Sequence, residues 1–317
     1  MKTALRYLVW GKKTPRRFVF GVGLYTIFYP VYDMVKAPVL HNAREPLPLK
    51  SRYGLGNYAV VAGATSSTGE AFCDKLASQG FKLILVDDTD NEAALNKLSE
   101  KYSTAPVFTF DFKHQTTWQE YEALCTAIQE KAGGESKQNN IAILVNGIEG
   151  FDPRKGKIHK ASDEELLVTT NLNSFPQIMM NRFLGPQMLA RGTHKSGIIN
   201  MTSYYADWPS YNLPLYAAGK AMQAHASYIL GLEVEDEMDV LTVKQLPVKS
   251  ERNPLGVDAK DVVEGVLHDL GQERISYGHW KHSLYRYPIL MQQCQWWYPV
   301  SKRAKPQSDF KKLLGRH

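Results

Sequence analysis

The chain has 317 residues, 44% of them hydrophobic, and a net charge of +6. It is long enough to bury a large core, and its three widely spaced cysteines, Cys73, Cys125 and Cys294, make neither a disulfide framework nor a zinc site. The charge is segregated, with +8 over residues 1–57, −9 over 58–278 and +7 over 279–317. The acidic middle argues against nucleic acid as a partner, while the basic ends suit an anionic membrane surface or the acidic face of a protein.

The first segment has no acidic residue before Asp33 and no charge between Phe18 and Tyr32. Lys12, Lys13, Arg16 and Arg17 stand directly before this apolar run, as a positive-inside flank does. Its 15 residues, at ~1.5 Å each, fall short of a hydrocarbon core of ~30 Å. Pro30 is also expected to disturb its last turn. The run predicts a membrane anchor that is tilted, kinked or partly inserted, with a buried hairpin of the globular body as the alternative. No small-residue cleavage site follows cleanly, so neither a secretory signal nor a cleaved presequence is expected. Residues 1–52 are read as this segment and its connector, 53–278 as the main domain and 279–317 as a basic, aromatic tail.

From Tyr58 the pattern changes. Short apolar runs at Tyr58–Ala62, Lys82–Val86, Val107–Phe110, Ile141–Asn146, Gly197–Ser203 and Leu241–Pro247 read as strands. Between them lie helical stretches at 69–79, 91–102, 117–131, 162–190, 215–235 and 258–270, and Ser162 with Glu165 forms a capping box at the start of the fourth. Continuous apolar strands alternating with helices mean a doubly wound, Rossmann-like parallel sheet, with ligands at the carboxyl ends of the strands.

The strand ends carry the candidate site. The first strand runs into Gly63-Ala-Thr-Ser-Ser67-Thr-Gly69, a small-residue turn that lets a pyrophosphate approach a helix N-terminus. Ser67 stands where the closest approach is expected, so its side chain intrudes there. Asp87 ends the second strand, 18 residues after Gly69, where it can accept bonds from ribose hydroxyls. Asp111 ends the third strand, where an adenine would be met, and Asn146 and Gly147 end the fourth.

The chain contains four Tyr-x-x-x-Lys pairs: Tyr32/Lys36, Tyr216/Lys220, Tyr277/Lys281 and Tyr298/Lys302. Only Tyr216/Lys220 opens a helix after a strand and follows a strand-end serine, Ser203, by 13 residues. A phenol with a pKa of ~10 donates poorly at neutral pH, and an ammonium one helical turn away can lower that value. Ser203 can polarise a substrate oxygen.

These residues, with Asn171, resemble the short-chain dehydrogenase/reductases over residues 55–280. The resemblance implies that Asn171, Ser203, Tyr216 and Lys220 are catalytic, that Lys220 also holds the nicotinamide ribose, and that Asn171 supports a proton-relaying water. It sets Gly63, Thr65, Ser67, Thr68, Gly69, Asp87, Asp111, Asn146, Gly147, Tyr216, Lys220 and Pro247 against the cofactor. The segment from Tyr53 to Val86 and the two chain ends are similar to the membrane-bound very-long-chain 3-oxoacyl-CoA reductases and related 17β-hydroxysteroid dehydrogenases. That likeness implies a lipophilic substrate, 3-oxoacyl-CoA or steroid-like. Asp87 and Asp88 would repel a 2′-phosphate, so NAD(H) is expected over NADP(H).

Three stretches depart from the family pattern: Ser67 in the glycine turn, Asn146-Gly-Ile-Glu-Gly150 after the fourth strand, and the short segment containing Arg252 after the sixth. Two readings follow. One is a membrane-associated reductase of lipid metabolism. The other is a retired homologue serving as an accessory subunit of a membrane complex. The C-terminal aromatics Tyr285, Tyr287, Trp296, Trp297 and Tyr298 suit a headgroup region, with packing on the sheet or at a homodimer interface as the alternative. Endoplasmic reticulum and mitochondrial inner membrane both fit the basic, acid-free opening.

Overall fold

The computed structural model describes residues 13–54, 57–115, 117–133, 140–148, 150, 158–192, 194–207, 213–250, 253–254 and 256–284. The chain divides into two compact units between Arg44 and Glu45.

The first unit contains α1, a single helix over Lys13–Ala43. The expected disturbance at Pro30 does not end it, and no hairpin forms. A proline removes one backbone donor, while the turns on either side keep theirs. Phe18, Phe20, Tyr25, Phe28, Tyr29, Tyr32, Val35 and Val39 are all exposed. No helix among the described residues is long and apolar enough to cross a membrane.

The second unit begins with the short helix α2 (Leu49–Tyr53) and continues as an alternation. In order come β1 (Tyr58–Ala62), α3 (Ser67–Ser78), β2 (Lys82–Asp88), α4 (Glu92–Lys101), β3 (Val107–Phe110), α5 (Trp118–Gly133) and β4 (Ile141–Asn146). Then follow α6 (Asp163–Leu189), β5 (Ser196–Ser203), α7 (Pro214–Glu233), β6 (Met238–Gln245), α8 (Ala259–Asp269) and β7 (Ile275–Ser276). The sheet is parallel throughout, in the order β3-β2-β1-β4-β5-β6-β7. The chain winds outward from β1 to β3, then returns to lay β4 on the other side of β1. The crevice for a ligand opens where that order reverses.

Alternate residues of each strand enter different cores. Val61, Leu85, Ile143, Ile199 and Leu241 pack with Phe72 and Leu76 of α3, Leu95 of α4 and Val262 and Val266 of α8. Val60, Ile84, Leu144, Ile198 and Val240 pack with Tyr121 and Ile128 of α5 and Met180 and Leu184 of α6. Each such side chain, buried, stabilises the fold by about 1.5–3 kcal/mol. The capping box forms as read: the Glu165 N–H donates to Ser162 Oγ, and the Ser162 N–H to the Glu165 carboxylate.

From Glu45 onward the connector belongs to the second unit. Arg52 donates from Nε and Nη2 to the Asp239 carboxylate at 2.5 and 2.8 Å, and the Tyr53 hydroxyl donates to the same group at 2.7 Å. Arg191 reaches the Tyr53 carbonyl at 2.8 Å. Asp239 lies near the start of β6, so this cluster clamps α2 to the amino edge of the sheet.

Burial alone would raise the Asp239 carboxyl, but hydrogen bonds from Arg52 and Tyr53 outweigh it and hold the group below its ordinary value. A carboxyl depressed in the fold contributes stability above its unfolded pKa and loses it as pH falls through the folded one. Asp239→Asn is expected to cost about 2 kcal/mol in urea unfolding at neutral pH. The gap between wild type and variant should close as pH drops below about 4. A gap that persists at low pH would contradict this account.

Candidate active site

The turn after β1 is built by close backbone approach. Gly63 has φ +81°, and a Cβ there would lie 2.5 Å from the Gly147 carbonyl oxygen. A Cβ on Gly69 would lie 2.0 Å from the Gly63 oxygen. Ser66 is the N-cap of α3; its hydroxyl accepts from the Gly69 N–H at 3.0 Å and donates to the Gly63 carbonyl at 2.8 Å. The N–H groups of Ser67 and Thr68 have no intrahelical acceptor, as in any first turn.

A cleft of about 490 Å³ opens at the carboxyl edge of the sheet. Of the residues singled out in the sequence, Ser67, Thr68, Gly69, Gly147, Ser203, Tyr216 and Pro247 line it. Phe72, Met201, Tyr204, Tyr205, Leu246 and Val248 supply an apolar wall. Gln245 reaches from the end of β6 to the Thr68 hydroxyl at 3.4 Å, joining the two sides.

Tyr216 reaches the cleft because Pro214 starts α7, and a proline fits the first helical position. Lys220, one turn on, is fully buried, and its Nζ lies 5.7 Å from the centre of the Tyr216 ring. Ser203 ends β5, and its Oγ accepts from the Tyr205 N–H at 3.3 Å. Tyr204 is buried beside it, and burial, with a hydrogen bond to Tyr205, pushes its phenol well above the ordinary value.

The other site residues do not line the cleft, and the structure gives them different partners. Asp87 Oδ2 accepts from the Thr65 N–H and hydroxyl, each at 2.8 Å, and Oδ1 accepts from the Asp88 N–H and from Asn91 Nδ2, again at 2.8 Å. A carboxylate has about four acceptor positions, and these four bonds use them. Asp87 thus braces the turn through Thr65, where ribose hydroxyls were expected. Asp111 accepts from the N–H groups of Lys113 and His114 and pairs with the His114 ring at 2.9 Å. Burial would raise its carboxyl, but these bonds hold it below the ordinary value. Asn146 donates to Asn181 and Asn200 at 2.7 and 2.8 Å, inside a polar chain that continues through Ser227 to Thr242. Asn171 donates to the Lys113 carbonyl at 2.6 Å. The side chain of Lys113 pairs with Asp88 at 3.0 Å and also with Asp90.

The segment after β6 closes on itself: Asn253 Nδ2 donates to the carbonyls of Pro247 and Val248 at 3.0 and 3.2 Å. Arg252, Glu149 and the tail from Tyr285 onward lie outside the described residues. Among the described residues no group of His, Cys, Asp and Glu could hold a metal ion.

Similarity to known proteins gives the family. A family profile described as short chain dehydrogenase matches residues 57–253. The chain belongs to that family. Its members bind nicotinamide cofactors and are, in general, NAD(P)-dependent oxidoreductases. It is 26% identical to the very-long-chain 3-oxoacyl-CoA reductase of Kluyveromyces lactis, over 86% of this chain and 82% of that one. It is 24% identical to mouse (Mus musculus) "inactive hydroxysteroid dehydrogenase-like protein 1", over 82% and 78%. A short-chain dehydrogenase/reductase from Burkholderia phymatum, solved with NAD, superposes with a TM-score of 0.59 at 20% identity, over 75% of this chain and 96% of that one.

Proposed function

We propose that the chain is a membrane-associated reductase that moves a hydride between a nicotinamide cofactor and the carbonyl of a lipophilic substrate, 3-oxoacyl or steroid-like. One observation carries the reading: Ser203 and Tyr216, from different elements, line the same cleft, with Lys220 one turn behind the tyrosine. The glycine turn fits the cofactor, since its backbones meet where any Cβ would clash and the first turn of α3 borders the cleft. Ser67, Thr68, Gly69 and Gly147 would hold its phosphates and the adjoining ribose.

The nicotinamide would supply the hydride. The chain supplies the rest. Ser203 Oγ, with one lone pair engaged by the Tyr205 N–H, keeps its proton for the carbonyl oxygen. Tyr216 gives its phenolic proton to that oxygen as negative charge develops, and the Lys220 ammonium stabilises the phenolate left behind. The apolar wall and the name of the Kluyveromyces relative support a lipophilic substrate.

A second reading has support of its own. The complete internal use of Asp87, together with the name of the mouse relative, favours a retired homologue kept as an accessory subunit. Titration with NADH, followed by nicotinamide fluorescence, separates the two; no binding would leave only the second. Given binding, Tyr216→Phe is expected to lower turnover of a 3-oxoacyl thioester or a steroidal ketone by about 10²- to 10⁴-fold. Its NADH affinity should be nearly unchanged. Near-normal turnover in that variant would overturn the assignment.

Cofactor choice follows from charge. Asp87, Asp88 and Asp90 gather at the end of β2, where Lys113 pairs with Asp88 and Asp90, and this acidic cluster disfavours a 2′-phosphate. NADH is therefore expected to bind more tightly than NADPH in side-by-side titrations, and the reverse order would refute the inference.

The exposed apolar surface of α1 and the basic residues before it support lipid association without a full crossing. Deleting residues 1–44 should convert a carbonate-resistant membrane protein into a salt-extractable one. Full-length protein that is soluble without detergent would rule the association out.

A further inference from the structure

The two residues after Ser203 are both tyrosines, and neither side chain takes part in the mechanism above. They form a tight helical turn, Tyr204–Ala206, whose first N–H group bound by a side chain is that of Tyr205, held by Ser203 Oγ. The Tyr204 and Tyr205 rings lie 4.1 Å apart between centroids, tilted by 34°. Tyr205 in turn meets Tyr216 edge-on, with centroids 5.9 Å apart and planes at 80°. All three rings line the cleft.

We propose that Tyr205 is a positioning residue for Tyr216. Tyr216 sits on the first turn of α7, at the end of the helix that meets the turn after β5. The Tyr205 ring supplies an edge-on contact of the preferred aromatic geometry, and it is itself backed by the buried Tyr204. The Lys220 ammonium stands 5.7 Å from the centre of the same ring. The Tyr216 ring thereby meets both a ring that follows the end of β5 and a cation of its own helix. The same short turn sets both polar groups, Ser203 through the hydroxyl that accepts the Tyr205 N–H and Tyr216 through the ring of Tyr205. One local structure thus contributes to the placement of both groups, in addition to the packing of α7 on β5 and β6.

This inference rests on the reading of Tyr216 as the proton donor, and it predicts which part of Tyr205 matters: the ring, not the hydroxyl. The test is steady-state reduction of a steroidal ketone by NADH in full-length protein carrying Tyr205→Ala, Tyr205→Leu or Tyr205→Phe. Tyr205→Ala is expected to lower kcat by at least about tenfold through misplacement of the acid. KM should rise as well, since Tyr205 also lines the apolar wall, so the fall in kcat at saturating ketone is the readout of a misplaced acid. Tyr205→Leu, which fills the volume without a flat ring, should resemble Ala, and it answers the case in which Ala does not fold. Tyr205→Phe should restore turnover. A kcat unchanged in the Ala and Leu variants, or a Phe variant as impaired as Ala, would overturn the proposal while leaving the reductase reading intact. A wild-type protein that binds NADH but reduces no ketone would overturn both.

Discussion

Three glycines allow the site to exist. Gly63, Gly69 and Gly147 bring the end of β1, the first turn of α3 and the end of β4 into backbone contact, at distances where a single methyl group would collide with a carbonyl. The Gly147 N–H seals this junction by donating to the Ala62 carbonyl at 2.9 Å. Everything on the cofactor side depends on it. Ser66 caps α3 only because Gly69 stands within reach, and Asp87 can brace Thr65 only because the turn folds back over β2. The cleft is what remains above three backbones that touch with nothing between them.

The catalytic side is held by different means. β5 ends in Ser203, α7 begins at Pro214, and aromatic contact carries order across to Tyr216. A chain of polar side chains runs just beneath. Asn146, Asn200, Ser227 and Thr242 run as a buried chain across β4, β5, α7 and β6. Buried polar networks that satisfy one another fix a single arrangement more strictly than apolar packing does, since a slipped register would strand their donors.

Much of this was legible in the residues. The ends of β1, β3 and β4 fall where the apolar runs end, because a strand covered on both faces must be apolar along its length and must stop where it is not. Ser203 and Tyr216 were legible through the family resemblance, whose strand-end serine and helix-opening tyrosine are spaced as these two are. The two-residue β7 carried no such signal. Asp87 shows the limit most clearly. Its position at a strand end was readable, but its partners, Thr65 and Asn91, are chosen by how two loops meet, and no periodicity encodes that. The membership of the connector was likewise hidden: Arg52 and Asp239 are 187 residues apart, and nothing near either one names the other. Ser66 could have been found, as a serine three residues before Gly69 in a helix start is an ordinary cap. Tyr205 stands two residues after a serine already singled out, yet its contact with Tyr216 is set by how the end of β5 meets the start of α7.

The clamp at Asp239 also bears on how the chain carries load. Any pull on the segment before Glu45 passes along the backbone into α2, where Arg52 and Tyr53 grip β6 and Arg191 grips the Tyr53 carbonyl. Tension is thus delivered to the amino edge of the sheet and spread over β5 and β6, at the end of the strands opposite the cleft. β1, which leads into the glycine junction, lies downstream of that mooring. A tether on the N-terminal helix can strain without tugging on the site.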